Sequence, residues 1–239
     1  MSPRRPVPVS APPRVLALLR ATPDTPAGPG LTVLHRGSLA AYVDLGGWAL
    51  GLVDPAASRP PTALVLGPGV LAGLALDDVR VHGGRLLLDG RTVVPGRLHD
   101  TGVPRIAGRA GGPAPDVAGL VGRGGGLTPE GDDLLCGWLA AHRATATPTP
   151  RTDASVRAHL HRTSLLSATL LEAALLGEVL PELADWLRAR GGPDEARRAA
   201  ALTAVGHTSG AALLRGAACA LERLPATLPP TLRPEGAAA

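Results

Sequence analysis

The chain has 239 residues, which fits one large domain or two small ones. Hydrophobic residues make up 45% of it and aromatic residues only 2%, so the core is expected to consist of Leu, Val and Ala. All 24 basic residues are arginine, which excludes a Schiff-base lysine and a P-loop lysine, and the net charge is only +4. Scattered arginines with almost no aromatic residues argue against nucleic-acid binding. No apolar run approaches the roughly 20 residues of a membrane span, and the proline-rich start does not resemble a signal peptide, so a cytoplasmic protein without membrane contact is expected.

The first half of the chain predicts a small antiparallel β domain. Residues 1–30 are rich in proline and are expected to be loose, apart from a short helix around Arg14–Arg20. Between residues 31 and 105, short apolar runs alternate with glycines, which is typical of strands joined by tight turns. Asp89-Gly90 lies between two such runs and predicts a hairpin, and Gly67–Gly69 predicts a turn.

The second half, residues 116–225, predicts a helical bundle domain. Apolar residues recur at helical spacing in five stretches. These are DLLCGWLAAHRA, SVRAHLHRTSLLSATLLEAALLGEV, PELADWLRAR, DEARRAAALTAVG and SGAALLRGAACALERL. Residues 226–239 are rich in Pro and Ala and are expected to be frayed. The expected fold class is therefore α+β, with the antiparallel β domain first and the helical bundle second.

The first of these helices opens with an unusual stretch, VGRGGGLTPEGDDLLC. Thr128 is a good N-cap and Pro129 suits the first helical position, so the helix is expected to begin there. Free N–H groups at a helix start form an anion site, and glycines let a ligand approach the backbone closely. The residues expected to bind a substrate here are Gly124, Gly125, Gly126, Leu127 and Thr128. Gly131 joins them because glycine costs about 1 kcal/mol relative to alanine inside a helix, which indicates a close neighbour.

Asp132 and Asp133 follow directly. The helix dipole stabilises a carboxylate in the first turn by about 0.3–1 kcal/mol, which accounts for one of them. Because helix neighbours point about 100° apart, at most one is expected to face a ligand, while the other bonds to loop N–H groups. A carboxylate beside an anion site suits a substrate amine, a Mg²⁺ ion or proton transfer, so both are candidate catalytic residues. The sequence requires no particular cofactor, although Mg²⁺ would suit such a site.

The stretch AVGHTSGAALLRG has the same character. Gly206 ends one helix, and Thr208 or Ser209 caps the next, whose first turn contains Gly210. Thr208, Ser209 and Gly210 are expected to bind substrate. His207, at the junction, is the candidate general acid or base.

The stretch HRTSLLSATLLEAALLGE places hydroxyl side chains in an apolar helix. Ser164 and Ser167 are three residues apart and are expected to share a helix face, where they would contact a ligand. An equally good interpretation is that such hydroxyls bond to carbonyls four residues earlier. No GxSxG motif is present, so a serine hydrolase is not expected.

Three patterns in this order, GxGxGLTPxGDD, RTSxxSAxLLxxAxxGE and GHTSGxxLLxG, resemble those of a bacterial family that includes AllH, the small subunit of the oxamate carbamoyltransferase complex. The resemblance covers about Val121–Arg223. It is carried by Gly122, Gly124, Gly126 to Pro129, Gly131 to Asp133, Thr163, Ser164, Ser167, Gly177, Glu178 and Gly206 to Gly210. The resemblance implies carbamoyl transfer between oxamate and carbamoyl phosphate, together with two larger subunits.

Two functions are compatible with these observations. The first is a carbamoyltransferase-like enzyme, or an enzyme subunit, that binds a small anionic substrate at the glycine-rich helix starts. The alternative is a non-catalytic assembly or ligand-sensing subunit of a larger complex. The expected partners are the small substrate and other subunits of such a complex.

Overall fold

The computed structural model describes residues 5–221. It contains an eight-stranded sheet and eight α-helices in this range, so the expected α+β class is confirmed. Within these residues, no helix combines the length and the apolar character needed to cross a membrane. Residues 222–239, which include the tail expected to be frayed, lie outside the described part.

The sheet is mixed rather than antiparallel. Its strands are Val7–Ala11 (β1), Val33–Arg36 (β2), Ala40–Asp44 (β3), Ala49–Val53 (β4), Ala63–Val65 (β5), Val79–His82 (β6), Arg85–Leu88 (β7) and Arg91–Leu98 (β8). They lie in the order β2-β3-β4-β5-β1-β8-β7-β6. Two pairs, β1 with β8 and β4 with β5, are parallel, so the prediction of a purely antiparallel domain is wrong. The first strand enters between β5 and β8 instead of pairing with its neighbour in sequence. Between β4 and β5, residues 54–62 return the chain so that both strands run in the same direction.

The expectation of a loose N-terminal segment is also wrong for Val7–Ala11, whereas the short helix expected around Arg14–Arg20 is confirmed as Pro13–Ala21. In β1, Val7, Val9 and Ala11 are buried, and these alternate with the more exposed Pro8 and Ser10. This alternation is the pattern of a strand with one face on the core. The high proline content of the segment concealed it.

The two turns predicted in the β half are confirmed. Asp89 and Gly90 form the two-residue loop between β7 and β8, and both have positive φ angles, +50° and +73°. This is the conformation of a type I′ hairpin turn, which favours Asp-Gly. Gly67–Gly69 also lies in a turn.

The helices are Pro13–Ala21 (α1), Val117–Leu120 (α2), Glu130–Ala144 (α3), Pro150–His159 (α4), Leu165–Leu175 (α5), Pro181–Ala189 (α6), Glu195–Thr203 (α7) and Ser209–Leu221 (α8). The long apolar stretch predicted as one helix is divided between α4 and α5. A 3₁₀ turn, Leu160–Arg162, and the extended residue Thr163 separate the two helices. Ser164 is then the N-cap of α5 and not an interior helical residue.

The helices α3 and α8 pack with their backbones in close contact. A Cβ atom added to Gly137 would lie 2.0 Å from the carbonyl oxygen of Leu213, and one added to Gly216 would lie 2.0 Å from that of Leu134. Only glycine fits at such a distance, because the missing side chain lets the helix axes approach. This reciprocal contact fixes the position of one helix on the other.

The two helices run in the same direction. At their beginnings, the Oγ1 atom of Thr128 and the Oγ atom of Ser209 are hydrogen-bonded at 2.9 Å. At their ends, one connector reaches both helices: the N–H of Ala110 donates to Thr145, and the N–H groups of Gly111 and Gly112 donate to Ala220. Both N-terminal ends therefore lie on the same side of the molecule.

The helical half is attached to the sheet by direct bonds. The N–H of Ala49 in β4 donates to the Oγ1 atom of Thr169 in α5 at 2.9 Å. Arg14 in α1 forms a 2.8 Å ion pair with Glu178, just after α5. These contacts attach β4 and α1 to the middle of α5 and to the segment that follows it.

We predict that Gly137→Ala destabilises the protein by about 1–3 kcal/mol, because the added methyl group forces the two backbones apart. The loss should appear although alanine is the better helix former by about 1 kcal/mol. The free energy of unfolding from urea titration measures it. Gly73→Ala is the control, since a Cβ there meets nothing within 4 Å. Equal stability of the two variants would contradict the interpretation of the α3–α8 contact.

Candidate functional site

A cavity of about 650 Å³ lies between the starts of α3 and α8, the helices α5 and α6, and the β half. Nine of the fourteen candidate site residues line it. They are Gly124, Gly125, Gly126, Leu127, Thr128, Asp133, His207, Thr208 and Ser209. The two glycine-rich motifs, more than 70 positions apart in the chain, thus meet at one cavity.

Asp133 is the most unusual polar residue of the cavity. Its side chain is only 5% exposed, and its Oδ2 atom has no hydrogen-bond partner within the described residues. Burial raises the pKa of Asp133 to about 6, while the nearby Ser209 and Thr128 hydroxyls act in the opposite direction. The charges of Asp132 and Glu130 raise the pKa further. A buried carboxylate oxygen without a partner costs free energy, so its presence at a cavity wall points to a bound donor group.

Asp132 points away from the cavity. Its Oδ1 atom accepts a 2.8 Å hydrogen bond from the N–H of Gly122, and its Oδ2 atom accepts one from the Thr163 hydroxyl. It therefore fastens the glycine loop to the segment before α5. The division expected for neighbouring helical residues is found: Asp132 bonds to the loop, and Asp133 lines the cavity.

The loop before α3 presents a row of backbone donors. Within residues 5–221, the N–H groups of Gly124–Thr128 donate to no other group. Gly122 and Gly124 shape this loop: both have positive φ angles, and a Cβ at Gly122 would lie 2.4 Å from the carbonyl oxygen of Arg162. The hydroxyl of Ser164 donates to the carbonyl of Leu127 at 2.8 Å and holds the loop from outside.

The first turn of α3 offers fewer free N–H donors than expected. The helix α3 begins at Glu130 with Pro129 as its N-cap, so the prediction of Thr128 as the cap is wrong. Thr128 instead bonds to Ser209 across the two helix starts. The N–H groups of Gly131, Asp132 and Asp133 already donate to Arg123 and Pro129, so within the helix start only the N–H of Glu130 stays unused beside those of the loop.

Gly131 and Gly210 do not line the cavity but allow close packing. A Cβ at Gly131 would lie 2.1 Å from the carbonyl oxygen of Leu120, and one at Gly210 would lie 1.9 Å from that of Leu202. The close neighbour inferred at Gly131 is thus the protein's own backbone. The assignment of these two glycines to substrate binding is not supported by their positions.

Ser164 and Ser167 also lie outside the cavity lining. The Oγ atom of Ser164 caps α5 by accepting from the N–H of Ser167, so the two serines are joined by a capping bond and do not present a shared face. Ser167 is 1% exposed. The alternative of back-bonding hydroxyls applies to Thr169, whose Oγ1 atom donates to the carbonyl of Leu165 at 2.8 Å.

The loop before α8 faces the cavity from the other side. Within the described residues, the N–H groups of Gly206, His207 and Thr208 make no hydrogen bond. The side chain of His207 is exposed and has no hydrogen-bond partner within residues 5–221. It is therefore free to turn toward a ligand, although no neighbouring group orients it.

Several lining residues were not predicted. Tyr42, Ser58, Pro60 and Pro61 come from the β half, and their positions depend on how the sheet meets the helices. Burial raises the pKa of the Tyr42 phenol, so its O–H stays protonated at neutral pH. Only Glu178 carried a signal in the sequence, because it belongs to the second motif. Its charge is paired with Arg14.

The residues give limited support for a metal. Asp133 could supply one carboxylate oxygen, but Asp132 is occupied by Gly122 and Thr163, and Glu130 is paired with Arg215. Residues 5–221 contain no group of three or more His, Cys, Asp or Glu side chains placed to hold a metal ion. Mg²⁺ at this site would depend on ligand oxygens and water for most of its coordination.

The protein is of the α+β class, and one end of its cavity is polar. The two glycine-rich loops before α3 and α8 form that end. The family model described as oxamate carbamoyltransferase subunit AllH matches residues 120–221. The resemblance drawn from the three motifs is therefore confirmed over the helical half. No curated protein and no solved structure matches the chain.

We predict that Asp133→Asn stabilises the protein above pH 6. The ordinary pKa of 3.8 is raised to about 6 in the folded state. Between these values the unfolded chain is ionised while the folded chain holds the proton, so stability falls as the pH rises through this window. Removing the charge should gain about 1–3 kcal/mol at pH 8 and almost nothing at pH 4. Thermal unfolding at both pH values measures the difference.

Asp132→Asn is the matched control, because the two residues are adjacent and the substitution is the same. It should destabilise the protein, since the carboxylate of Asp132 accepts two hydrogen bonds. A stability change of the same sign in both variants at pH 8 would refute the distinction between the two aspartates.

Proposed function

We propose that this chain is a subunit of a carbamoyltransferase-type enzyme and that its cavity binds the carbamoyl-bearing substrate. One observation carries the proposal: Asp133, whose buried Oδ2 atom has no partner within the described residues, lines the same cavity as two loops with unused N–H groups. A carbamoyl group has an NH₂ donor on one side and a carbonyl acceptor on the other. The arrangement of acceptor and donors in the cavity is complementary to it.

The phosphate or carboxylate of the substrate would be bound by backbone N–H groups. The cavity lining within the described residues contains no arginine, and its carboxylates Glu130 and Glu178 are each paired with an arginine. The N–H groups of Gly124–Thr128 and Gly206–Thr208 thus remain as the groups for a phosphate or carboxylate. The parallel α3 and α8 add the positive ends of two helix dipoles, which favour an anion at this position.

Asp133 and the loops would have different roles in carbamoyl transfer. An ionised Asp133 accepts a hydrogen bond from the carbamoyl NH₂ and fixes the plane of the group. When an acceptor attacks the carbonyl carbon, negative charge grows on the carbonyl oxygen, and preorganised N–H donors stabilise it. His207 is the group we assign to proton transfer. Asp132 acts as a positioning residue through its bond to the loop.

We expect titration calorimetry of the purified chain to show saturable binding of carbamoyl phosphate and of oxamate. Asp133→Asn should weaken both by about 10- to 100-fold, because a hydrogen bond to a charged group contributes about 1.5–3 kcal/mol. Asp77→Asn, an exposed aspartate of the β half, is the control and should change neither. Inorganic phosphate, which lacks the NH₂ group, should bind Asp133→Asn at least as tightly as the wild type, because it loses no hydrogen bond and a nearby negative charge is removed. Unchanged binding of oxamate by Asp133→Asn would rule out the assigned role.

The alternative is a non-catalytic assembly or ligand-sensing subunit. The observation that favours it is the exposed His207, which no neighbouring residue orients. Ligand binding without phosphate release, also in the presence of candidate partner subunits, would support a sensor. A folded chain that binds neither carbamoyl phosphate nor oxamate would support a role in assembly.

A further inference from the structure

The cavity is much larger than the polar group assigned to it. Its volume of about 650 Å³ would hold about 20 water molecules at about 30 Å³ each. Oxamate and carbamoyl phosphate are compact and would occupy only the end near Asp133. A cavity of this size is typical of sites for larger organic ligands.

The remainder of the cavity is largely apolar. Leu166, Leu170 and Ala174 recur every fourth residue on α5 and so share one helix face. Leu180 and Leu183, at the start of α6, continue the surface. The side chains of these five residues, the α5–α6 wall, carry no hydrogen-bonding group. Leu166, Ala174 and Leu183 are buried, while Leu170 and Leu180 are half-buried. A small polar substrate would leave the exposed parts of Leu170 and Leu180 in contact with water, whereas an alkyl group would bury them.

Resting on the proposed function, we propose that the acceptor is an amine with an apolar arm and that the carbamoylated product is an N-alkylurea. Its ureido group meets Asp133 and the loop N–H groups, and its arm lies along the α5–α6 wall. In the transfer, the amine nitrogen attacks the carbonyl carbon of carbamoyl phosphate. The new C–N bond forms, the C–O bond to phosphate breaks, and the phosphate leaves with that electron pair and takes one proton from the nitrogen.

The test is calorimetric titration of the full chain with urea, ethylurea, butylurea and hexylurea, with carbamoyl phosphate measured in parallel. We expect the affinity to rise by about fourfold for each added methylene, as about 0.8 kcal/mol per buried CH₂ group implies. Asp133→Asn should weaken every member of the series by the same factor, because all share the ureido group.

Variants of the α5–α6 wall distinguish the contribution of the apolar arm to the affinity from that of the ureido group. Leu170 is half-buried, and Leu170→Asn should weaken hexylurea by about tenfold while urea binding stays the same. Leu176→Asn is the control: this leucine follows the same helix, is 59% exposed and does not line the cavity. It should change neither affinity. Leu180→Asn serves the same purpose if Leu170→Asn does not fold, as judged by its melting temperature.

The outcomes distinguish this inference from the proposed function. Equal affinities for urea and hexylurea, with carbamoyl phosphate still bound, overturn the apolar arm and leave the proposed function standing. Hexylurea binding that neither wall variant weakens also overturns the arm. If hexylurea binds through the wall but carbamoyl phosphate does not bind, the proposed function fails, and the acceptor role fails with it.

Discussion

The site depends on one steric constraint, the backbone contact between α3 and α8. Gly137 and Gly216 let each helix approach a carbonyl of the other, and no other residue has room at either position. Because the helices run in the same direction, this contact brings two distant glycine-rich loops to one place. The Thr128–Ser209 hydrogen bond then joins the two helix starts directly. Without the packing of these apolar helices, the polar groups of the cavity would not meet.

The two adjacent aspartates show how the same residue type serves opposite purposes. Asp132 satisfies both of its oxygens within the protein and fixes the glycine loop. Asp133 is buried with an oxygen that has no partner in the described residues, and its raised pKa reflects the free energy lost there. Natural proteins retain such unfavourable groups mainly where a ligand uses them. The geometry at Asp133 thus supports function because ordinary stability would select against it.

Much of the candidate site could be predicted from the sequence, because the signals that indicate it lie within short segments of the chain. Helix-start signals, glycine spacing and the 100° rotation between Asp132 and Asp133 are properties of short segments. They do not reveal tertiary neighbours, so Gly131 and Gly210 were assigned to a ligand although they meet the protein's own carbonyls. Ser164 was placed inside a helix because hydrophobic periodicity does not show the break at Thr163. The strand β1 is not predicted because proline content conceals its alternation, and both of its pairing partners, β5 and β8, are distant in the chain.

The cavity has walls from two parts of the chain, and only one of them lies within residues 120–221, which match the family model. The loops, Asp133 and the α5–α6 wall belong to that segment. Tyr42, Ser58, Pro60 and Pro61 do not. The cavity therefore combines one wall from the segment that matches the family model with a facing surface from the β half. Chains that keep this helical segment but carry different loops on the β half would enclose the same Asp133 and loop N–H groups in a differently shaped cavity.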